Sequence, residues 1–414
     1  MFHHRRIAVA AAASALILLV VGCAPAAEDE TTGDPLTITT FGDIGYSDAL
    51  FAQFTKETGI EVVHTITTPD KARSGIFQNI GEGGLADVEA IDLTWIPDLL
   101  PYTSDLAPVS SDLIDRWLPW KVASATAADG TLFAYGATID PQAICYRSDL
   151  FEQAGLPTDP AAVAALFPSW DAFFTVGAQY TATTGEPFVD SITPIVDGMI
   201  NQLPVSYEER DGTVVATTNP AVREVYDSVV ERAFPIAAFS KPDGWEWALE
   251  MDEGGYAAML CGAEMRASIP QIAPDIDTWS VANTYPGGGM NTAGTFLVVP
   301  ATGDRVEDAQ ALAAWLTLPE NQLAAYRNAK VFPSTPSVFA EPVITNTKDL
   351  DLSDAPIGQI SADRALAITE LTVRGPGFLR YHDALVNIAA RVFDGHESAP
   401  SGWDSWVAEA SVLR

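Results

Sequence analysis

The chemistry this chain can offer lies where aromatic rings and carboxylates fall together near breaks in the pattern. Asp43 stands in the Gly-rich turn after an apolar run, and Asp92 with Trp95 closes another such run. Tyr135 and Asp140 flank an interruption at Asp140-Pro141. Trp245 and Trp247 follow Lys241-Pro242-Asp243-Gly244 in what reads as a loop, and Trp279 follows Asp275 and Asp277. An aromatic face covers apolar C–H groups, while a carboxylate accepts hydroxyl protons in charge-assisted bonds. The pairing suits a polyhydroxylated ligand held between apolar walls by a few polar groups. A ring that simply fills a core is the competing account for each tryptophan. Trp95 is the strongest candidate, because open α/β sheets place their ligand crevice beyond the C-terminal ends of strands.

Signatures of turnover are missing. The sequence holds no GxSxG elbow, no HExxH helix and no GxxxxGK[ST] loop. His64, His382 and His396 show no metal-binding spacing and read as surface or core residues. Asp349, Asp351, Ser353 and Asp354 imitate the start of a calcium loop, but Asp354 takes the place where the sharp turn needs glycine. A solvated acidic loop is the better reading there. Gly287 to Gly289 follow a proline and precede no helix, which makes them a turn rather than a phosphate cradle. No metal and no cofactor are expected. An extracytoplasmic glycoside hydrolase using Asp92 and Asp140 stays open, since such enzymes need two carboxyls about 5–10 Å apart and a sequence carries no distances.

The chain must leave the cytoplasm to do this work. His3, His4, Arg5 and Arg6 precede an apolar run from Ile7 to Val21, and Gly22-Cys23 follows. This is the pattern of an export signal over 1–22, too short for a spanning helix of about 20 residues. Val20-Val21-Gly22-Cys23 is similar to a bacterial lipobox, which implies acylation of Cys23, palmitate included, and attachment to the cell membrane by lipid alone. Residues 23–35, acidic and holding Pro and Gly, read as a flexible tether. The formal charge of −33 would repel phosphate backbones and gives no footprint for nucleic acid. Cys145 and Cys261 remain as an even pair in an oxidising compartment, so a disulfide is expected, with two buried free thiols as the alternative.

Strand and helix patterns alternate along the body. Leu36 to Phe41, Ile60 to Ile66 and Asp87 to Leu93 read as strands with helices between them, which implies a parallel sheet. Thr131 to Ile139 reads as a β-run that stops at Asp140-Pro141 and resumes at Ala143 to Arg147. Ser169 to Thr183 and Pro220 to Phe234 carry helical spacing, and residues 186 to 220 give no firm assignment. Gly255 to Leu260, Thr278 to Asn283 and Thr295 to Val299 are short strands. Asp304 with Glu307 reads as a capping box for the helix beginning at Val306. The class is α/β, and a body of this length makes two lobes.

Several segments then carry a resemblance in order and spacing. They are GLADVEAIDLTW, DGTLFAYGATIDPQAICYRSDLFEQAGLP with SWDAFF, YAAMLCGAEM, YPGGGMNTAGTFLVVP, LTLPENQLAAYRNAKVFPSTPSV and GPGFLRYHDALVNIAARVFDG. Together they resemble the extracellular solute-binding proteins (family 1) of bacterial ABC sugar importers, the family that includes maltose-binding protein. The resemblance implies a two-lobed periplasmic-binding-protein-like fold of type II. Its ligand cleft would lie between the lobes, with a hinge of crossing strands. The lobes would comprise 36–140 with 292–332, and 141–291 with 333–414. It implies a monomeric, non-enzymatic carbohydrate receptor that delivers its ligand to ABC permease subunits. It places Asp92, Trp95, Asp140 and the Gly294 backbone among the ligand-binding positions, with Trp245, Trp247 and Trp279 as further candidates. Many relatives carry a tryptophan where this chain has Glu264, so a stacking platform there would be replaced by a carboxylate. A binding protein for a peptide, a polyamine or another cation therefore stays open beside the sugar reading.

Overall fold

The computed structural model describes residues 33–209, 211–369 and 372–413. The export signal, the lipobox and most of the tether lie outside the described residues. The chain runs through β1 (Leu36–Phe41), β2 (Val62–Thr67), β3 (Val88–Asp92), β4 (Tyr135–Gly136), β5 (Thr138–Ile139) and β6 (Ala143–Arg147). It continues through β7 (Val189–Ser191), β8 (Ala237–Phe239), β9 (Ala258–Cys261), β10 (Trp279–Ala282), β11 (Thr295–Val298) and β12 (Phe332–Pro333).

Two five-stranded sheets form the centres of the two lobes. The first has the order β2-β1-β3-β11-β4, and the second β10-β6-β9-β7-β8. In the first, β1 pairs in parallel with β2 and β3, while β11 runs antiparallel between β3 and β4. Leu36, Ile38 and Thr40 of β1 are fully buried, as alternation demands of a strand with one face in the core. The helix Asp48–Thr58 that follows ends at Gly59, whose φ of 76° closes the last turn. Another helix, Trp170–Thr184, starts on the Ser169 hydroxyl, which accepts the Ala172 amide, and stops at Gly185 with φ 81°.

Three short segments join the lobes. After β4 the chain enters β5, which pairs not with either large sheet but with β12. It then passes Asp140-Pro141-Gln142 into β6 of the second sheet. The return path runs through Asn291 to Gly294 into β11, and Pro141 bridges Asn291 between the two paths. The Gln142 amide donates to the Met290 carbonyl at 2.8 Å, and the Asp140 amide to Asn291 Oδ1 at 2.7 Å. Lys121 is fully buried beneath them. Its Nζ donates to the Thr138 carbonyl at 2.8 Å and lies 3.4 Å from the centre of the Phe296 ring. Gly294 has a φ of 136°, and a Cβ there would come within 2.4 Å of the Thr138 carbonyl oxygen. Only glycine lets these two crossings approach so closely.

Some local expectations change. The run Thr131 to Ile139 forms only β4 and β5, because its neighbours at this end belong to different sheets. Residues 186–220 resolve into β7 and a helix Thr193–Asn201. The helix Val306–Leu316 begins at Arg305 with no side-chain cap, so Asp304 and Glu307 form no capping box. Trp245 and Trp247 lie in a helix, Gly244–Glu253, rather than a loop.

Cys145 and Cys261 are joined by a disulfide across β6 and β9, closing a loop of 116 residues. The chain-entropy model gives such a closure about 4–5 kcal/mol, reduced by any native strain. Replacing both by Ser should lower unfolding stability by about 2–5 kcal/mol, measured by denaturant titration. Peptide mapping after alkylation of unfolded, unreduced protein should leave both cysteines unlabelled; labelling of either would refute the bridge.

Candidate functional site

The C-terminal ends of β1, β2 and β3 point toward the crossings, and so do those of β7, β8 and β9. This follows from register: Thr295, the first residue of β11, pairs with Asp92, the last of β3, and Cys261, the last of β9, pairs with Ala143, the first of β6. The cleft is therefore walled by strand ends of both lobes, where loops carry side chains without sheet obligations.

On the first-lobe rim Asp92 opens a turn at Leu93–Trp95. Its Oδ1 accepts from the Thr94 amide at 2.8 Å and hydroxyl at 2.7 Å, while Oδ2 lies 3.5 Å from the Gly294 amide. One carboxylate oxygen is thus held in place and the other is only weakly engaged. Trp95 packs on Phe41 with ring centres 4.7 Å apart and is only 7% exposed. Asp43 is exposed, with Oδ1 accepting the Gly45 amide at 2.9 Å.

On the second-lobe rim the helix Ala263–Ile272 starts directly after β9. Asp140 Oδ1 accepts the Ala263 amide at 2.7 Å, satisfying one of the free donors at that helix end. Its Oδ2 accepts from Gln142 Nε2 at 3.2 Å, and the same nitrogen donates to Thr292 Oγ1 at 2.8 Å. A Cβ on Gly262 would fall 2.2 Å from Asp140 Oδ2, so the carboxylate needs glycine there. Burial raises the Asp140 carboxyl above its usual range, opposed by the Ala263 amide and Arg266. Both Asp140 oxygens are thereby committed to the crossing. Glu264, in the first turn of this helix, is exposed, and Trp245 beyond the end of β8 is 72% exposed.

The structure does not bring every candidate to the rim. Trp247 lies two positions beyond Trp245, on the opposite face of their helix, and buries its indole so that Nε1 donates to Asp190 Oδ2 at 3.2 Å. Trp279 is fully buried as the first residue of β10, paired with Arg147 at the end of the sheet away from the crossings. Tyr135 is buried edge-on to Trp117, with ring centres 6.2 Å apart. These three rings fill cores. A cavity of about 410 Å³, lined by Pro270, Ile276, Asp277 and Leu350, also belongs to the far edge.

Sequence reasoning missed a polar group on the second lobe. Asp197 and Asn201 lie one helical turn apart on Thr193–Asn201, the segment left unassigned. Asn201 Oδ1 accepts from Arg374 Nη2 at 2.6 Å and Nε at 3.1 Å, and the guanidinium carbon lies 5.2 Å from the centre of the Phe378 ring. Asp197 Oδ1 pairs with His382 Nε2 at 2.8 Å, and Tyr207 with the other ring nitrogen at 3.0 Å. Burial pushes Arg374 down to about 10, and the Asp197 and Asp92 carboxylates oppose that shift. Burial also lowers Lys121 well below its usual value, again opposed by Asp92. The Asp92 carboxylate thus favours the charged form of Lys121 beneath the hinge and of the half-buried Arg374.

A profile described as bacterial extracellular solute-binding protein matches residues 49–351. The chain belongs to this family. The family binds solutes outside the cytoplasm and is not one of enzymes. A crystal structure of an extracellular solute-binding protein of family 1 is 31% identical, with a TM-score of 0.88 over 92% of this chain and 99% of that one. The sugar-binding protein MalE of Xanthomonas citri is 17% identical, with a TM-score of 0.73 over 92% of this chain and 97% of that one. The GacH receptor of Streptomyces glaucescens, solved unliganded and with acarbose, is 18% identical, with a TM-score of 0.65 over 92% of this chain and 99% of that one. At these lower identities the likeness shows the fold, a two-lobed binding protein of type II. Comparison with curated protein sequences gave no match. Among the described residues no helix is long and apolar enough to cross a membrane.

Two buried carboxyls behind the rims contribute to the pH response of the fold. Burial pushes Glu89 of β3 and Asp190 of β7 each up to about 7. Asp190 Oδ1 has no hydrogen-bond partner, and Glu89 receives the Ala86 amide at 2.8 Å. The folded chain holds these protons to higher pH than the unfolded chain does. The contribution of these two groups to stability is therefore greatest below the ordinary carboxylate range and is lost as pH rises toward 7. Each group contributes a slope of at most about 1.4 kcal/mol per pH unit in that window. Asp190→Asn should flatten the fall in denaturation midpoint between pH 5 and 8; an unchanged profile would show that Asp190 does not ionise on folding terms.

Proposed function

We propose that this receptor captures a carbohydrate between its lobes and hands it to an ABC permease, working as a monomer tethered to the membrane by lipid on Cys23. What supports the reading is that strand ends of both sheets meet at the crossings. Beyond those of the first sheet Asp92 offers a fixed carboxylate, and beyond β8 of the second Trp245 offers an exposed ring. Carboxylates accept from sugar hydroxyls and rings cover the apolar sugar face. Structural neighbours described as binding acarbose, maltose or β-1,6-galactobiose support the choice of ligand class. The proposed lobes are 36–140 with 292–332 and 141–291 with 333–414, and Asp43, Trp95 and the Gly294 backbone complete the first-lobe side of the site.

Closure about the three crossings would trap the ligand, shifting an open–closed equilibrium by no more than its differential affinity for the two states. A second reading, a cationic solute, is favoured by the exposed Asp43 and Glu264. Calorimetric titration with neutral mono- and oligosaccharides, a polyamine and an oligopeptide separates them. Saturable binding of a sugar, weakened by Trp245→Ala, is expected. Binding of the polyamine or peptide alone would overturn the carbohydrate assignment.

A further inference from the structure

One side chain of the helix Pro319–Ala329 reaches into the joint between the lobes. Gln322 is buried there, with both ends of its amide engaged. Its Oε1 accepts from the Ser334 amide at 2.8 Å and the Thr335 amide at 3.2 Å. Its Nε2 donates to the Gly136 carbonyl at 2.9 Å and to Ser334 Oγ at 3.3 Å. A primary amide has two N–H donors and one oxygen with two lone pairs, so its capacity is filled. Two backbone donors on one side and a carbonyl on the other also fix which way the group points.

These partners belong to different crossings. Gly136 ends β4, where the outward path leaves the first sheet, and Ser334 and Thr335 follow β12 on the third path. The Ser334 amide is shared with the Ala137 carbonyl at 3.2 Å, and a Cβ on Gly136 would stand 3.0 Å from Ser334 Oγ. Among the described residues, β5 and β12 share two register pairs, Phe332 with Ile139 and Pro333 with Thr138. Proline carries no amide hydrogen, so a ladder this short loses a donor at Pro333. Gln322 adds the bonds that the ladder lacks, and it does so from outside both strands. The same helix holds the loop beside Asp43, because Asn328 Nδ2 donates to the Gly45 carbonyl at 2.9 Å.

We propose that Gln322 is a positioning residue of the hinge, the bracket that makes the first and third crossings move together when the lobes move. Segments at a hinge absorb domain motion as changes in φ and ψ. Two crossings free to change separately would let the lobes settle in several relative arrangements. Held on one amide, a change in either path is passed to the other, and the number of arrangements falls. The inference rests on lobe motion about the crossings and not on the class of ligand.

The test reads the distance between lobes in the ligand-free protein. Spin labels go on Glu61→Cys and Glu152→Cys, exposed positions in different lobes of the full chain. Cys23→Ser removes the remaining free thiol, since Cys145 and Cys261 are bridged. Pulsed dipolar spectroscopy then gives the distribution of label separations. Gln322→Met removes all four side-chain bonds. Gln322→Glu, at about pH 9 where two amide donors favour its ionised form, still accepts from Ser334 and Thr335 but has no donor for Gly136. It therefore cuts the link while the third path stays held, and it carries the test if the Met variant does not fold. Asn321→Ala is the control, because Asn321 Nδ2 donates to the Trp315 carbonyl at 2.7 Å, away from both crossings. All three variants should lower the melting temperature. Only the two Gln322 variants should broaden the distribution or add a second separation. A wild-type distribution in the Gln322 variants overturns the proposal, and equal broadening in Asn321→Ala does so too, by making it a general effect of lost stability. Wild-type separations unmoved by a neutral oligosaccharide that binds in calorimetry would overturn lobe motion itself, and this inference with it.

Discussion

Everything in this structure depends on the lateral hydrogen bonding of its lobe crossings. Asp140 and Gln142 on the outward path meet Asn291 and Thr292 on the return path, and β5 pairs with β12 on the third. The bonds cross the direction of the chain and tie the joining segments to one another, so these are not independent tethers.

Electrostatics is arranged around the same place. Lys121 is fully buried under the crossing and Arg374 is half-buried on the second lobe, and the Asp92 carboxylate favours the charged form of both. Asp140 bonds the first amide of the Ala263 helix from within the crossing, so that free donor is bound to the hinge rather than to solvent. The same bond reduces the freedom of Asp140 to serve a ligand. It makes Asp140 a positioning residue for the rim that carries Glu264. Burial of Glu89 and Asp190 behind the rims is a separate cost, borne by cores that otherwise hold mainly apolar side chains.

Much of this was legible before any coordinates. Strand–helix alternation indicated the α/β class, Asp140-Pro141 marked the first crossing, and strand-end position singled out Trp95, with Asp92 beside it. Tryptophans proved harder to place, for a physical reason. Trp245 and Trp247 differ by half a helical turn, so one faces solvent and the other the core, and this required knowing that their segment is a helix. Trp279 sits at the wrong end of its strand, which depends on strand direction within the sheet. Arg374 escaped notice because its partner Asn201 lies 173 residues away in a segment with no clear periodicity. Pairings of that range are set by tertiary packing and leave no local signal.

The central claim is that sugar binding and hinge bending are one event. Fluorophores placed at Glu61→Cys and Glu152→Cys, exposed sites in different lobes, report the distance between lobes by energy transfer. Titration with the bound sugar should raise transfer to a plateau at the calorimetric affinity. Saturating binding with no change in transfer would contradict the account.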